Sequence, residues 1–257
     1  MKISIIGLGH MGSWLTNMLA ENHSLCVYDS DPSRKARCQN ARSIDTIEEI
    51  KSFEPELLIN AVSLHKTIEV FESVMPYLPA SCILSDMASV KGKIPEYYRS
   101  CGFRFVSIHP MFGPTFANVE RLGDENVIII DESDKEGAAF FRDFFDRLGL
   151  KTHTYSFEEH DRMIAYSLAL PFSSTIVFAA CMDNTAVPGT TFKKHLEIAR
   201  GLLSEDDYLL CEILFNPYAF AQLEKVSSRL EFLKHVIKEK DGEEAERFLA
   251  RLRENIR

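Results

Sequence analysis

Residues 107–114 read SIHPMFGP and place one histidine, His109, at the end of a short apolar run, residues 103–108, with Pro110 directly behind it. Histidine titrates closest to neutrality, so one held where a strand gives way to a Pro-x-x-Gly-Pro loop is suited to general acid or base work. The same residue could also do no more than satisfy loop carbonyls. What else the chain brings to that rim decides between the two. A second loop, residues 86–92 (DMASVKG), leaves another strand end and turns towards a helix, carrying Ser89 and Lys91. A serine there is by default a helix cap. Lys91 reads either as a solvated lysine or as one that reaches the rim.

The third loop is the most specific by its context. Residues 2–6 form a predicted strand that runs into Gly7-Leu8-Gly9-His10-Met11-Gly12 and then into a helix, which is the GxGxxG arrangement of dinucleotide binding. Gly7 permits the tight turn, Gly9 lets a pyrophosphate approach the backbone, and Gly12 lets helix and strand pack closely. Helix N-terminal amides then bind the phosphates. A second predicted strand ends at Asp29, 22 residues after Gly7, where the ribose-binding acid is expected. Asp29 and Asp31 would repel a 2′-phosphate, so NAD is expected rather than NADP. Arg34 is the residue that could act the other way.

Those loops need a sheet to hold them. Short β-branched runs at residues 2–6, 24–28, 56–62, 82–86, 103–108, 127–130 and 151–155 alternate with helical patterns at 11–21, 44–52, 66–75, 91–98 and 135–148. Alternation of this kind predicts a Rossmann-type, doubly wound, mostly parallel α/β sheet. After residue 156 only helical patterns remain, at 157–182, 191–203, 206–214, 218–239 and 242–254. The expected organisation is a dinucleotide-binding domain over residues 1–156 and an all-α substrate and dimerisation domain over 157–257.

Composition narrows the possibilities. The 257 residues are 46% hydrophobic and 26% charged, enough for a sizeable core, and the net charge of −9 argues against nucleic acid as a partner. Six cysteines are scattered without a CxxC pair, as suits reduced thiols in a cytoplasmic protein. The eight histidines show no HExxH or close Cys/His spacing, so no metal is expected. Residues 163–182 carry no charge over a length that would span a membrane. Hydroxyl residues and Pro171 dilute that stretch, and burial at the centre of a helical domain or dimer is the expected reading, with no membrane partner. The apolar run of the N-terminus is too short for an export signal.

SVKG followed by HPMFGP, on a chain that opens with GxGxxG, resembles the prephenate and arogenate dehydrogenases of tyrosine biosynthesis. The resemblance covers nearly the whole chain, including Glu159-His160-Asp161 at the start of the helical region. It implies an NAD-dependent oxidative decarboxylation of prephenate to 4-hydroxyphenylpyruvate. His109 would bond and polarise the substrate's ring hydroxyl, Ser89 would fix that geometry, and a homodimer would form through the helical region. For His160 and Asp161 the plain alternative is a helix start, where an acid favours the helix dipole and a histidine caps or packs. The family also places a carboxylate-binding arginine on a later helix. Arg200 is the candidate here, with Lys193 as an auxiliary cation.

The chain departs from the pattern in three places. Some members carry two histidines around a helix-interior proline, where this chain has Ala169 and Phe172 beside Pro171. An acid found after the loop glycine in some branches is replaced by Thr115, after Pro114. The arginine register also falls at Glu197 in one alignment. These departures bear on prephenate against arogenate, which stays open, as does feedback inhibition by tyrosine and fusion to a chorismate mutase. Two other readings stand beside this one: a two-domain dehydrogenase of the β-hydroxyacid or imine type, and a non-catalytic NAD-binding regulator.

Overall fold

The computed structural model describes residues 1–112, 119–183 and 187–256, and of residues 119–121 the backbone alone. Two compact units divide between Asp161 and Arg162. The first is built on eight strands: β1 (Lys2–Ile6), β2 (Ser24–Tyr28), β3 (Arg42–Ser43), β4 (Leu57–Asn60), β5 (Ile83–Asp86), β6 (Arg104–Pro110), β7 (Asn126–Ile130) and β8 (Lys151–Tyr155). They lie in the order β3-β2-β1-β4-β5-β6-β7-β8. The order reverses at β1, which pairs in parallel with both β2 and β4 and so forms the switch point where α/β sheets bind ligands.

Helices α1 (His10–Leu19), α2 (Pro32–Ala36), α3 (Ile50–Phe53), α4 (Thr67–Val74), α5 (Ile94–Ser100) and α6 (Lys135–Arg147) connect the parallel strands. Side chains of one strand alternate between the two faces, and both faces are covered. Ile3, Ile5, Leu57 and Ile59 enter one core with Leu15, Val106 and Phe141. Ile6, Leu58 and Leu84 enter the other with Phe71, Val74 and Ile94. Each such side chain contributes about 1.5–3 kcal/mol on burial, so the sheet is held from both sides.

One pair breaks the parallel rule. β6 runs parallel to β5 through Ser107 but antiparallel to β7 at Ile108, His109 and Pro110. The described part of the β6–β7 connection holds a 3₁₀ segment, Val119–Asp124, and antiparallel neighbours need no crossover helix. The pairing with β7 carries β6 two residues beyond its expected end, so His109 sits within the strand.

Two other segments differ from expectation. The helix expected at 44–52 is instead a 3₁₀ turn at Ile47–Glu49 followed by α3, because a Thr46/Glu49 capping box delays the start, and the two-residue β3 lies just before it. The helix expected from Lys91 begins at Ile94, where Pro95 takes a first-turn position that needs no amide. Residues 91–93 therefore belong to the loop.

α7 (Phe157–Ile164) starts at Ser156, whose hydroxyl accepts from the Glu159 amide while the Glu159 carboxylate accepts from the Ser156 amide. In the second unit the chain continues through a π-helical turn, Ala165–Ala169, into α8 (Leu170–Ala180). Pro171 cannot donate within the helix, and a π turn just before it absorbs the mismatch. α9 (Thr190–Leu202), α10 (Asp207–Leu214), α11 (Ala219–Glu239) and α12 (Gly242–Asn255) follow. The helical stretch Phe157–Ala180 is long and apolar enough to cross a membrane, yet only 17% of its apolar window is buried within the chain. The expected burial at the centre of the chain's own helical domain is thus not met.

Candidate active site

The glycine loop has the backbone geometry that its spacing predicts. Gly7 has φ +93°, and a Cβ there would lie 2.7 Å from the Ala61 carbonyl oxygen at the end of β4. A Cβ on Gly12 would lie 1.8 Å from the Gly7 carbonyl oxygen, so helix and loop touch backbone to backbone. Gly9 has nothing within 4 Å of its would-be Cβ, which leaves a cradle open for a phosphate. A cavity of about 460 Å³ beside the loop is lined by Leu8, Gly9, His10, Arg34 and Arg37, among others.

Asp29, buried just past β2, accepts from the Leu8 amide at 2.6 Å and from the Asp31 amide at 2.8 Å. Its carboxylate therefore ties the glycine loop to the end of β2, and the oxygens' remaining lone pairs are available to ribose hydroxyls. Arg34 is half exposed and pairs at 3.6 Å with both Asp29 and Asp31, which draws it towards the ribose acid.

His109 is 4% exposed, and its Nδ1 lies 3.0 Å from Nε2 of the fully buried His160. His160 Nδ1 in turn lies 3.1 Å from Asp161 Oδ1. Two elements make this contact, the end of β6 and the first turns of α7. Burial first, then His160 and the Lys91 charge, hold the His109 pKa well below the ordinary histidine value. Burial likewise lowers that of His160, against the Asp161 hydrogen bond, which raises it. Both rings are neutral at pH 7. His109 is suited to be a base rather than an acid.

Beneath the pair, Lys91 is fully buried. Its ammonium donates to Asp86 Oδ1 and to the carbonyl of Ile108, each at 2.8 Å, and Tyr98 donates to Asp86 Oδ2 at 2.8 Å. Lys91 is thus not the solvated lysine that is one of its two expected readings. Burial pulls its pKa down and the Asp86 charge opposes that. Sequence reasoning missed this network, and also Trp14 of α1, whose ring meets Phe112 edge-on at 5.4 Å. That contact packs the residues after His109 against the helix of the glycine loop.

Of the other expected site residues, Ser89 is half-buried in the loop after β5, and the cap of α5 is Lys93. Lys193 and Arg200 are exposed on α9, seven residues apart and so on one face of that helix, within the second unit. Gly113, Pro114 and Thr115 lie outside the described residues. Among the described residues no cluster of His, Cys, Asp and Glu could hold a metal ion.

The family model of the prephenate dehydrogenase nucleotide-binding domain matches residues 17–152, more than half of the chain. The match begins beyond the glycine loop, which thus stands on its own geometry. A Methanocaldococcus jannaschii protein described as a probable arogenate/prephenate dehydrogenase is 24% identical over 265 residues, covering 95% of this chain. This chain spans 58% of that relative's length. Among solved structures, the Aquifex aeolicus prephenate dehydrogenase in complex with hydroxyphenyl propionate and NAD⁺ is 19% identical, with a TM-score of 0.85, over 99% of this chain and 96% of that one. The Synechocystis arogenate dehydrogenase is also 19% identical, with a TM-score of 0.75, over 99% and 98%. At these identities the two structures speak for the fold.

Proposed function

The chain belongs to the prephenate dehydrogenase family, and from that membership we propose that it oxidises and decarboxylates prephenate to 4-hydroxyphenylpyruvate with NAD, in tyrosine biosynthesis. The observation that carries the reading is His109: a buried, neutral imidazole fixed on a sheet whose switch point offers a glycine cradle and a ribose acid.

The cradle suits NAD. Gly9 leaves room for a pyrophosphate, which the first amides of α1 would hold, and Asp29 would accept from the adenine ribose. Bound there, the nicotinamide supplies the acceptor for the hydride that leaves C4 of the substrate ring. The work of the chain's residues is to place C4 and to handle one proton. As the C4 hydroxyl becomes a carbonyl, His109 accepts its proton. Loss of carbon dioxide from C1 makes the ring aromatic, and the same proton can return to the phenolate oxygen. No net proton is consumed. Ser89, on the neighbouring loop, is assigned to hold the hydroxyl in line. Arg200 and Lys193 are assigned to the substrate carboxylates, a role that suits a planar guanidinium with a second cation beside it.

Arogenate differs from prephenate in carrying an ammonium group where prephenate has a side-chain ketone. Two cations on one face of α9 favour the keto acid, and the absence of histidines at Ala169 and Phe172 leaves no further contact at those positions to discriminate. Tyrosine shares the aromatic ring and a carboxylate with the product and is the expected inhibitor at the same site. The helical unit exposes Tyr166, Val177, Ile198, Phe215 and Phe220, which supports a homodimer through that unit. The six cysteines are free, as suits the cytoplasm.

The experiment is direct. Incubation with NAD and prephenate should produce NADH, with 4-hydroxyphenylpyruvate as the product, and a parallel reaction with arogenate sets the preference. No NADH from either substrate would refute the reading, and a monomeric mass at micromolar concentration would refute the dimer.

A further inference from the structure

The three side chains His109, His160 and Asp161 form a chain of hydrogen bonds, and its direction can be read from donor chemistry alone. An ionised carboxylate only accepts, so Asp161 Oδ1 takes the proton of His160 Nδ1. A neutral imidazole carries one N–H, so His160 Nε2 is then an acceptor. At 3.0 Å it can only receive the Nδ1 proton of His109. That leaves His109 Nε2 without a proton. Among the described residues this nitrogen has no hydrogen-bond partner.

We propose that His160 and Asp161 are positioning residues that fix the tautomer of His109, so that Nε2 is the atom that accepts the substrate's hydroxyl proton. The proposal rests on the dehydrogenase reading above and names the atom that acts in it. Placement explains why the device works. His109 is held in β6 by its antiparallel pairing with Ile128 of β7, whereas His160 and Asp161 come from the first turns of α7, so two independent elements set the ring's orientation. Lys91 lies beneath, tied to Asp86 and to the Ile108 carbonyl. Burial first, with the Lys91 charge adding to it, opposes protonation of either ring and favours the neutral form that a fixed tautomer requires. At His109 itself only N–H and O–H bonds are made and broken. The proton leaves the substrate oxygen for Nε2 and later returns by the same route.

The replacement Asp161→Asn reverses the chain. An asparagine amide can donate to His160 Nδ1, which turns His160 Nε2 into a donor and leaves His109 with its proton on Nε2, facing the substrate. A misassigned histidine tautomer costs turnover rather than binding. The test is ¹⁵N spectroscopy of histidine-labelled protein at pH 7, beside steady-state kinetics with NAD and prephenate. We expect both His109 and His160 to carry the proton on Nδ1 in the unaltered protein and His109 to carry it on Nε2 in Asp161→Asn. We further expect kcat to fall about 100-fold or more with KM for NAD unchanged. Asp161→Glu, which keeps an acceptor, should restore the original His109 spectrum and part of kcat. A His109 that reads Nε2–H in the unaltered protein overturns the proposal, as does an Asp161→Asn protein with unchanged tautomer and kcat. Should Asp161→Asn fail to fold, the spectrum of the unaltered protein decides alone. Because the spectra need no substrate, absence of turnover would count against the dehydrogenase reading and leave the tautomer assignment to be judged separately.

Discussion

Lys91 and Asp86 form an ion pair 2.8 Å long with neither side chain reaching solvent, and the same ammonium holds the carbonyl of the residue before His109. Removing one partner of such a pair leaves the other charge buried and unmatched. Lys91→Met should therefore cost about 3–5 kcal/mol, while the double change with Asp86→Asn should recover part of that loss. Urea denaturation of the three proteins measures it. A single substitution no more costly than one on the surface would mean that Asp86 finds another partner.

His109 faces His160 and Asp161 from α7, and Lys91 and Asp86 from β5 and the loop after it. Burial first, then His160 and Lys91, depress its pKa. A base with a lowered pKa stays neutral until the pH falls through that lowered value. The acid limb of kcat/KM should thus lie well below pH 6.5, the ordinary histidine value. In Lys91→Met, or in the double variant if the single one does not fold, the limb should move to higher pH. A limb at or above the ordinary histidine value in the unaltered protein would contradict the buried, repelled imidazole.

The same two histidines link stability to acidity. In the unfolded chain they take up protons below about pH 6.5, but the folded protein refuses them. Their contribution is complete above that value and is lost as the pH falls towards the lowered folded values. Each histidine adds a slope of up to about 1.4 kcal/mol per pH unit in that window. Denaturant midpoints between neutrality and mild acid should show the decline, and His109→Gln should remove its share. An unchanged slope in that variant would assign the effect to other groups.

Loss of the base itself should be a kinetic matter. His109→Asn should lower kcat by about 100-fold or more while NAD affinity changes little. Fluorescence titration with NADH separates the two quantities. Normal turnover would make the histidine structural.

The three glycines give a test of the cradle that is independent of chemistry. Gly9→Ala meets nothing in the fold, so the protein should melt normally but bind NAD about tenfold or more weakly, since a methyl group occupies the phosphate space. Gly12→Ala collides with the Gly7 carbonyl and should disturb the loop itself, lowering melting temperature and NAD binding together. Calorimetry with and without NAD distinguishes them.

The parallel strands were legible because buried runs such as residues 24–28 leave a continuous apolar pattern. β3 was not, since two residues leave none and its pairing with β2 is decided by neighbours. The site divides in the same way. Gly7, Gly9, Gly12 and Asp29 act locally, and their spacing announces them. His160 meets His109 across 51 residues, and nothing in its own surroundings distinguishes an inward-facing histidine at a helix start from one that caps it. The burial of Lys91 was not legible for a related reason: an isolated lysine is normally solvated, and only the tertiary meeting of β5 and β6 supplies the Asp86 carboxylate and the Ile108 carbonyl that permit it.

β6 exchanges a parallel neighbour for an antiparallel one at Ile108, just before His109. The base is consequently mounted on a strand that β7 carries past the end of the parallel ladder, rather than on a loop. Substitutions further along the chain can then accumulate without moving the imidazole that is proposed to take the proton. Under the proposed function the base on β6 and the carboxylate-binding cations on α9 belong to different stretches of chain and are free to drift apart.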